Sequence, residues 1–417
     1  NRFCAAIFWV FISRHLGASA LGALAFGMSL FSFFLTISTL GLGSVVIREV
    51  ARDHRKAGAF FGHTIILGAA SAFILALVMM LVALIVKPAT ETIHATLILA
   101  VAILPASLFY WSKSLLSAAE NMAQVAKARF GENLFKVVVG LALLFLGAGV
   151  VEMALVIAAS KVVSAIIAFV LASREARPVF KIQREIVQHL YKMTPSFSMI
   201  ALFNSLFWAA PIVILTRLGG EMEAGLFSAA YKLVDMVVTF AHAYGQALFP
   251  IASRTVQDNL ETFKTMFLKS IKYVSLLTLA IAAAVSVLAS KIVLLVYGAD
   301  MMPVADVLRI LIWMAAPFSI VPVLAFSLMS RNRQINDLAA NIAAAVTVIG
   351  LGGLTCAAFG AIGMAISVVF ACIVFWAVEF ISVQRWVISF SIGEQVWRPA
   401  IAALLLAGLL ILLQDLN

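Results

Sequence analysis

Charged residues are scarce in this sequence. Of its 417 residues only 12% are Asp, Glu, Lys or Arg, whereas 64% are hydrophobic. Average soluble domains carry about a quarter charged residues, so this composition excludes an ordinary soluble domain. Apolar runs fill nearly the whole chain, and each is long enough to cross a hydrocarbon core of about 30 Å as a helix. We therefore predict an all-α, polytopic membrane protein.

Residues that build catalytic and metal centres are also few. The three cysteines lie in apolar stretches, and the six histidines are scattered along the chain. Their spacing fits no zinc site, and the sequence has neither a phosphate-binding glycine loop nor a Ser/His/Asp set. A membrane enzyme of glycan assembly should carry a large extramembrane loop with carboxylates, yet the longest polar loop, 174–189, is short. We predict a transporter with no catalytic residue, no metal and no cofactor.

Twelve candidate membrane spans follow one another, and a further one comes after them. The first span is short and the chain begins at Asn1 rather than Met, so we expect that the N-terminus has been trimmed. The extra C-terminal span is expected either from a fourteen-helix protein whose last helix is absent here or from an unusual end of the chain. The predicted spans are 1–16, 21–47, 58–86, 92–117, 122–147, 150–173, 190–217, 223–251, 265–297, 304–330, 335–357, 360–384 and 397–414.

Basic residues gather in the turns after the even-numbered spans, which by the positive-inside rule places those turns in the cytoplasm. The charge-rich linker 174–189 is the predicted boundary between an N-terminal six-helix lobe, 1–173, and a C-terminal one, 190–384, with the extra segment at 385–417. These loops and anionic lipid account for the net charge of +10, and no nucleic-acid partner is expected. The basic residues concerned are Arg48, Arg52, Arg55, Lys56, Lys113, Lys127, Arg174, Arg177, Lys181, Arg184, Lys192, Arg254, Lys264, Arg331, Arg333 and Arg385.

The two predicted lobes resemble each other in sequence. Since the repeats run in the same direction, we predict two lobes related by a pseudo-twofold axis along the membrane normal, facing each other across a central cavity. At a shift of 203 residues the aligned pairs are Arg14 with Arg217, Gly17 with Gly220, and Gly22 with Gly225.

The same alignment places polar side chains in register on the second and eighth spans, and we predict that both faces line the central cavity. Hydroxyls in membrane helices usually bond their own backbone, which is the alternative for the second span. For the eighth span the alternatives are mutual neutralisation of Lys232 with Asp235 and a satisfied interior imidazole at His242. The aligned residues are Ser29, Ser32, Thr36 and Thr39 with Lys232, Asp235, Thr239 and His242.

Four charged residues stand out within the fifth and sixth spans. Arg129, Glu132 and Lys136 have i, i+3, i+7 spacing, and Lys161 lies near the middle of the sixth span. Charge at the bilayer centre costs about 2.5–3.5 kcal/mol per residue, so these groups should face a cavity or a partner. The alternatives are snorkelling for Arg129 and a buried pair for Lys136 and Lys161, with Glu132 the nearest candidate partner of Lys136. With Lys232 the lysines give a cationic surplus, which favours an anionic ligand over a cationic drug. Three carboxylates near cytoplasmic span ends are expected to be solvated or interfacial: Glu120, Asp337 and Glu379.

Three stretches resemble one transporter family. They are LGASALGALAFGMSLFSFFLTISTLGLGSVVIREVAR, GLFSAAYKLVDMVVTFAHAYGQALFPIASR and YGADMMPVADVLRILIWMAAPFSIVPVLAFSLMSRNRQ. They resemble the polysaccharide-transporter branch of the multidrug/oligosaccharidyl-lipid/polysaccharide exporter superfamily, a branch that contains bacterial O-antigen flippases. The resemblance covers residues 1–384. It implies flipping of an undecaprenyl-pyrophosphate-linked oligosaccharide, an O-antigen or exopolysaccharide repeat unit, from the inner to the outer leaflet of the bacterial inner membrane by alternating access.

The cationic surplus gives the charged residues their expected roles. Lys232, Lys136, Lys161 and Arg129 are the candidate substrate-binding residues, and the candidate coupling ions are H+ and Na+. The expected partners are the lipid-linked oligosaccharide, the bilayer and other membrane proteins of polysaccharide assembly. The alternatives are an ion-coupled multidrug exporter of the same superfamily, the peptidoglycan-precursor flippase branch, and a membrane enzyme of glycan assembly. The candidate cavity-lining or coupling residues are Asp235, Glu132, His242, Thr239, Ser29, Ser32, Thr36 and Thr39.

Overall fold

The computed structural model describes residues 2–39, 42–86, 88–180, 195–258, 260–331 and 333–415. Within these ranges it contains α-helices, short 3-10 helices and no β-strand, so the predicted all-α class is confirmed. The helices are α1 (Arg2–Thr39), α2 (Leu42–Arg52), α3 (Ala57–Val86), α4 (Thr90–Val101), α5 (Ile103–Ala118), α6 (Met122–Phe145), α7 (Val150–Glu175), α8 (Pro195–Leu218), α9 (Gly220–Asp258), α10 (Leu260–Val296), α11 (Val304–Leu311), α12 (Ala315–Ser330), α13 (Gln334–Trp386) and α14 (Ile392–Asp415).

Nine helical stretches of the described residues are long and apolar enough to cross a membrane, which confirms a multi-pass membrane protein. One of them is α14, the predicted additional C-terminal helix. Two predicted spans merge in α1 and two in α13, where non-helical residues at Gly17 and Gly360 mark the kinks. Helix α6 is not among the nine stretches. It is the helix that carries Arg129, Glu132 and Lys136.

The repeat-related glycines Gly17 and Gly220 both have a positive φ. Their φ angles are 79° and 84°, in the left-handed region that glycine adopts without strain. Gly17 joins the two halves of α1, and Gly220 begins α9 directly after α8. A Cβ at either position would meet no atom within 4 Å, so the backbone conformation rather than lack of space requires glycine. The predicted alignment therefore extends to the backbone.

Two predicted spans are interrupted in the middle. The fourth divides into α4 and α5 at Ala102, and the tenth divides into α11 and α12 at the 3-10 turn Ile312–Met314. Each interruption lies just before a proline, Pro105 or Pro317. Proline has no N–H to donate to the carbonyl four residues earlier, so the regular helical hydrogen bonding stops there.

Helix α3 buries small residues and exposes large ones. Ala72 and Ala83 are fully buried, whereas Ile74 and Ile85 are 59% and 65% exposed. Small residues let membrane helices approach closely, while large apolar side chains outside can meet lipid hydrocarbon at no cost. This inverted pattern is what a lipid-facing helix requires.

The chain forms two compact units, Asn1–Gly225 and Leu226–Asn417. In the first unit α1 packs against α3, α4, α6 and α8, and α7 packs against α4, α5 and α6. Helix α8 thus belongs to the first unit through its packing on α1, although it lies beyond the predicted linker 174–189. Residues 181–189 of that linker lie outside the described residues. The predicted lobes, 1–173 and 190–384, stay a prediction.

In the second unit α10 is the central helix. It packs against α11, α12 and α14, and α12 packs against α13. A cluster of buried apolar residues fills the space between the N-terminal half of α10 and the end of α12, with Phe263, Phe267 and Leu328 among its members. This packing fixes the N-terminal half of α10 beside the rest of the unit.

Candidate functional site

A buried ion pair joins α6 and α7. The Nζ atom of Lys161 lies 2.5 Å from Oε1 of Glu132, and the two side chains are 21% and 9% exposed. Glu132 therefore pairs with Lys161, whereas the sequence suggested Lys136 as its partner. The two residues are 29 positions apart in sequence and lie on neighbouring helices. Spacing along a single helix therefore could not predict this pair.

Aromatic rings of α1 lie against the lysines of this region. The Nζ atom of Lys161 is 5.8 Å from the centre of the Phe31 ring, and that of Lys136 is 5.9 Å from the centre of the Phe8 ring. A cation within about 6 Å of an aromatic face is attracted by the ring quadrupole. Helix α1 thus adds a third wall to the site that α6 and α7 form.

The residues Arg129, Glu132, Lys136 and Lys161 together form what we term the charge cluster. Arg129 lies exposed near the start of α6, with its Cζ atom 5.3 Å from the centre of the Phe109 ring. Lys136 is half-buried and interacts electrostatically with Glu132. The two lysines of the cluster, Lys136 and Lys161, lie beside the Glu132 carboxylate, which leaves a formal surplus of one positive charge in the buried part of the cluster. An anion-binding role for these residues stays a prediction.

The four hydroxyl residues of α1 differ in exposure. Ser32 is exposed, Ser29 and Thr36 are half-buried, and Thr39 is buried. The Thr36 hydroxyl donates to the carbonyl of Ser32 at 2.8 Å, and the Thr39 hydroxyl donates to the carbonyl of Thr36 at 3.0 Å. These two hydroxyls make the local backbone bonds that were the alternative to a cavity role. A cavity-lining role for the four residues stays a prediction.

The ionisable residues of the eighth predicted span lie on α9 in the second unit. Lys232, Asp235 and Thr239 are all half-buried. Asp235 is the charged group that interacts with Lys232, consistent with the i, i+3 spacing. The side chain of His242 lies outside the described residues, so its role stays a prediction.

A carboxylate that was not singled out in the sequence joins three segments of the first unit. The Glu221 carboxylate accepts hydrogen bonds from the backbone N–H of Ala89 at 3.1 Å, from the Ser19 hydroxyl at 3.4 Å and from the Thr92 hydroxyl. Glu221 lies in the first turn of α9, where a negative charge is favoured by the helix dipole. In the predicted orientation this end of the helices is extracytoplasmic.

Beside Glu221, α1 and α9 approach each other backbone to backbone. A Cβ on Gly22 would lie 1.9 Å from the carbonyl oxygen of Glu221, and one on Gly225 would lie 1.8 Å from that of Ala18. Because these neighbours are backbone atoms, a side chain fits only if a helix moves. We term this pair, Gly22 with Gly225, the glycine contact. The sequence repeat aligned the two glycines but contained no signal that they touch.

Two carboxylates of α13 are buried, which contradicts the expectation that they are solvated or interfacial. Asp337 is 4% exposed and Glu379 is fully buried, whereas Glu120 is exposed as expected. The kink at Gly360 folds α13 back on itself, so that its two ends meet and enclose both groups. In the described part of the chain, no three His, Cys, Asp or Glu side chains are grouped so that they could hold a metal ion.

Comparison with protein families gives one match over most of the chain. A family model described as a polysaccharide biosynthesis protein matches residues 11–306. No curated protein matches the chain.

The fold is similar to those of solved transporters. The structure "Lipid II flippase MurJ, inward closed conformation" is 14% identical with a TM-score of 0.83, over 99% of this chain and 91% of that one. An inward-facing multidrug resistance MATE family transporter of the MOP superfamily is 17% identical with a TM-score of 0.75, over 91% and 92%. A MOP superfamily transporter from Pyrococcus furiosus is 16% identical with a TM-score of 0.61, over 91% and 90%. These likenesses establish a membrane-transporter fold.

Proposed function

Because the chain belongs to the polysaccharide biosynthesis protein family, we propose that it is a flippase for lipid-linked oligosaccharide. Its substrate is an undecaprenyl-pyrophosphate-linked O-antigen or exopolysaccharide repeat unit. The protein moves this lipid from the inner to the outer leaflet of the bacterial inner membrane by alternating access, coupled to H+ or Na+. Other membrane proteins of polysaccharide assembly supply and take up the lipid.

The charge cluster is the observation that carries this proposal. Its buried part, Lys136 and Lys161 against Glu132, carries a surplus of one positive charge between helices, where a low dielectric strengthens electrostatic attraction. A pyrophosphate carries two or more negative charges and complements this surplus, whereas a cationic drug is repelled by it. Lys161 and Lys136 are the deepest candidates for holding the pyrophosphate. The Glu132 carboxylate keeps Lys161 in place until the anion arrives.

The contacts of Glu221 and the glycine contact support alternating access. They join α1, the start of α4 and the start of α9 at one end of the first unit. None of these bonds is covalent, and each can be broken as the helices separate. A closed extracytoplasmic end that can open is what a flippase with a cytoplasmic entrance needs.

Reconstitution in proteoliposomes tests the function directly. The protein should move undecaprenyl-pyrophosphate bearing a sugar between leaflets, measured by the access of an impermeant sugar-modifying reagent. The MATE-like fold favours a multidrug exporter as the second candidate, which would move a cationic dye and leave the lipid in place. A membrane enzyme of glycan assembly would change the chemical composition of the lipid. Dye transport without lipid transport would refute the flippase proposal.

Thiol labelling tests whether the polar faces of α1 and α9 meet water. Single cysteines at Ser32, Thr36 and Asp235 should react with a water-soluble thiol reagent in at least one state of the cycle. Cysteines at Val234 and Val238 should stay protected, because these side chains are 0% and 6% exposed. The ratio of labelling rates between the two sets is the measurement. Equal protection of all five positions would rule out a water-filled cavity on these faces.

Lys232 is tested by comparing the single variants at Lys232 and Asp235 with the double variant Lys232→Ala with Asp235→Asn. If Lys232 binds the pyrophosphate, Lys232→Ala should abolish translocation and Lys232→Arg should retain part of it, because the charge survives with a different geometry. If Lys232 only neutralises Asp235, Lys232→Ala should be unstable, and adding Asp235→Asn should restore both stability and translocation. The measurements are melting temperature in detergent and translocation for all variants. A stable, fully active double variant would exclude Lys232 as a ligand.

A further inference from the structure

The second unit contains a cavity with both polar and apolar lining, and none of the predicted site residues lines it. It has a volume of about 510 Å³ and lies where the C-terminal part of α9 meets the N-terminal half of α10. Ligand pockets typically have volumes of about 300–1,000 Å³, so this cavity is large enough for a ligand. Its lining residues are Tyr244, Glu261, Thr262, Thr265, Met266, Lys269, Ser270 and Tyr273.

One face of α10 supplies most of the lining. Glu261, Thr265, Lys269 and Tyr273 recur at every fourth position, and all four are exposed. One turn further along this face the exposed residue is Leu277, so the polar stripe ends as the helix enters its apolar part. At a rise of 1.5 Å per residue, Glu261 and Lys269 are about 12 Å apart along the helix axis. They are therefore too far apart to neutralise each other, and a ligand can contact both.

Two tyrosines give the cavity aromatic surface. Tyr244 is 36% exposed and Tyr273 is 58% exposed. The Tyr244 hydroxyl donates to the Ser270 hydroxyl at 3.1 Å, and that hydroxyl donates to the carbonyl of Met266 at 2.8 Å. This chain of hydrogen bonds holds the Tyr244 ring against α10. The hydroxyl of Tyr273 makes no hydrogen bond with the described residues, so it can bond a ligand.

We propose that this cavity binds a sugar of the oligosaccharide, an inference that rests on the proposed function. A sugar ring has an apolar C–H face, which packs on an aromatic ring, and a rim of hydroxyls that both donate and accept. Tyr273 supplies the ring for this sugar, and the Lys269 ammonium, one turn away, donates to its oxygens. The Glu261 carboxylate, about 18 Å from Tyr273 along the helix axis, accepts from hydroxyls of the next sugar. The cavity is thereby a specificity site, separate from the charge cluster that takes the pyrophosphate.

The mixture of groups distinguishes a sugar from the other parts of the lipid. A polyprenyl chain has no favourable interaction with Glu261 or Lys269, because burying charged groups against hydrocarbon is costly in free energy. A pyrophosphate is repelled by the Glu261 carboxylate and has no use for aromatic faces. In the predicted orientation the junction of α9 and α10 is cytoplasmic. The sugar headgroup of the lipid is on this side of the membrane before translocation.

Binding to the full chain in lipid nanodiscs tests the proposal. The probes are bare undecaprenyl pyrophosphate and the same lipid bearing one hexose, one N-acetylhexosamine or one deoxyhexose. Tyr273→Ala should weaken binding of at least one glycosylated lipid by about tenfold, and leave the bare lipid within about twofold. Tyr273→Phe should retain most of the affinity, because the ring face remains. Leu277→Ala, one turn along the same face, is the matched control and should change neither.

Melting temperatures of the variants exclude general unfolding as the cause of any loss. Equal weakening of bare and glycosylated lipids by Tyr273→Ala would overturn the sugar assignment, as would a wild-type protein that binds all four lipids equally. Failure of the proposed function would look different. In that case the wild-type protein would translocate none of these lipids in proteoliposomes, whatever its affinities.

Discussion

Replacing Glu132 with leucine is expected to lower the free energy of unfolding by about 3 kcal/mol. In the wild-type protein the Lys161 ammonium lies between α6 and α7, 2.5 Å from the Glu132 carboxylate. The substitution removes this carboxylate and leaves the ammonium without its partner. Removing one partner of a buried pair costs about 3–5 kcal/mol. The lower end applies because 21% of the Lys161 side chain stays exposed and can reach water. The measurement is reversible unfolding in mixed micelles.

The double variant Glu132→Leu with Lys161→Met separates structure from substrate binding. It removes both charges, so we expect most of the lost stability to return. If Lys161 serves only as the partner of Glu132, translocation should return with stability. If Lys161 holds the pyrophosphate, as we propose, the stable double variant should stay inactive. The control is Lys127→Met on the same helix, an exposed position where about 0.5 kcal/mol or less is expected. An unchanged stability of Glu132→Leu would contradict a buried pair.

Alanine at Gly22 or Gly225 is expected to reduce translocation at least about tenfold. The added Cβ would lie 1.9 Å or 1.8 Å from a backbone oxygen, so α1 and α9 must separate. Overpacking of this kind costs about 1–3 kcal/mol. It destabilises only the state in which α1 and α9 are in contact. The extracytoplasmic end should then open more often. A single cysteine at Ser19 should therefore become more reactive toward an impermeant thiol reagent added from outside.

Gly350→Ala serves as the control for the glycine substitutions. Gly350 lies in α13, and a Cβ there meets no atom within 4 Å. Alanine favours the helix over glycine, so stability should be equal or slightly higher and translocation unchanged. If Gly22→Ala behaves like Gly350→Ala in both assays, the close approach of α1 and α9 has no part in transport.

The course of the helices could be predicted from the sequence because each membrane span carries its own signal. The length of an apolar run predicts the length of a membrane span, and basic turns predict the orientation of that span across the bilayer. Neither prediction needs information from another helix. The alignment of Gly17 with Gly220 came from the sequence, but their positive φ came only from the structure. The interruptions before Pro105 and Pro317 also had a local signal, because proline lacks the N–H that a continuous helix needs. We nevertheless predicted each of these spans as one unbroken helix.

The partners of the charged residues could not be predicted, because they come from other helices. Spacing on α6 pointed to Lys136, and only packing brings Lys161 of α7 to Glu132. The burial of Glu379 likewise depends on the fold of α13 at Gly360, which turns a helix end into an interior position. A sequence pattern gives the helix face on which a side chain lies. It does not give the group that the side chain meets.

The glycine contact has a consequence for the origin of the molecule. Gly22 and Gly225 are equivalent positions of a repeat, and in the structure they meet. If the gene arose by duplication, its ancestor was a half-length chain that paired with a second copy of itself. A residue beside a twofold axis faces the same residue of the other copy. A single glycine codon in the ancestor would therefore have placed glycine on both sides of the interface and allowed the two backbones to approach closely. After fusion the two codons mutate independently, and each must be kept by selection on its own.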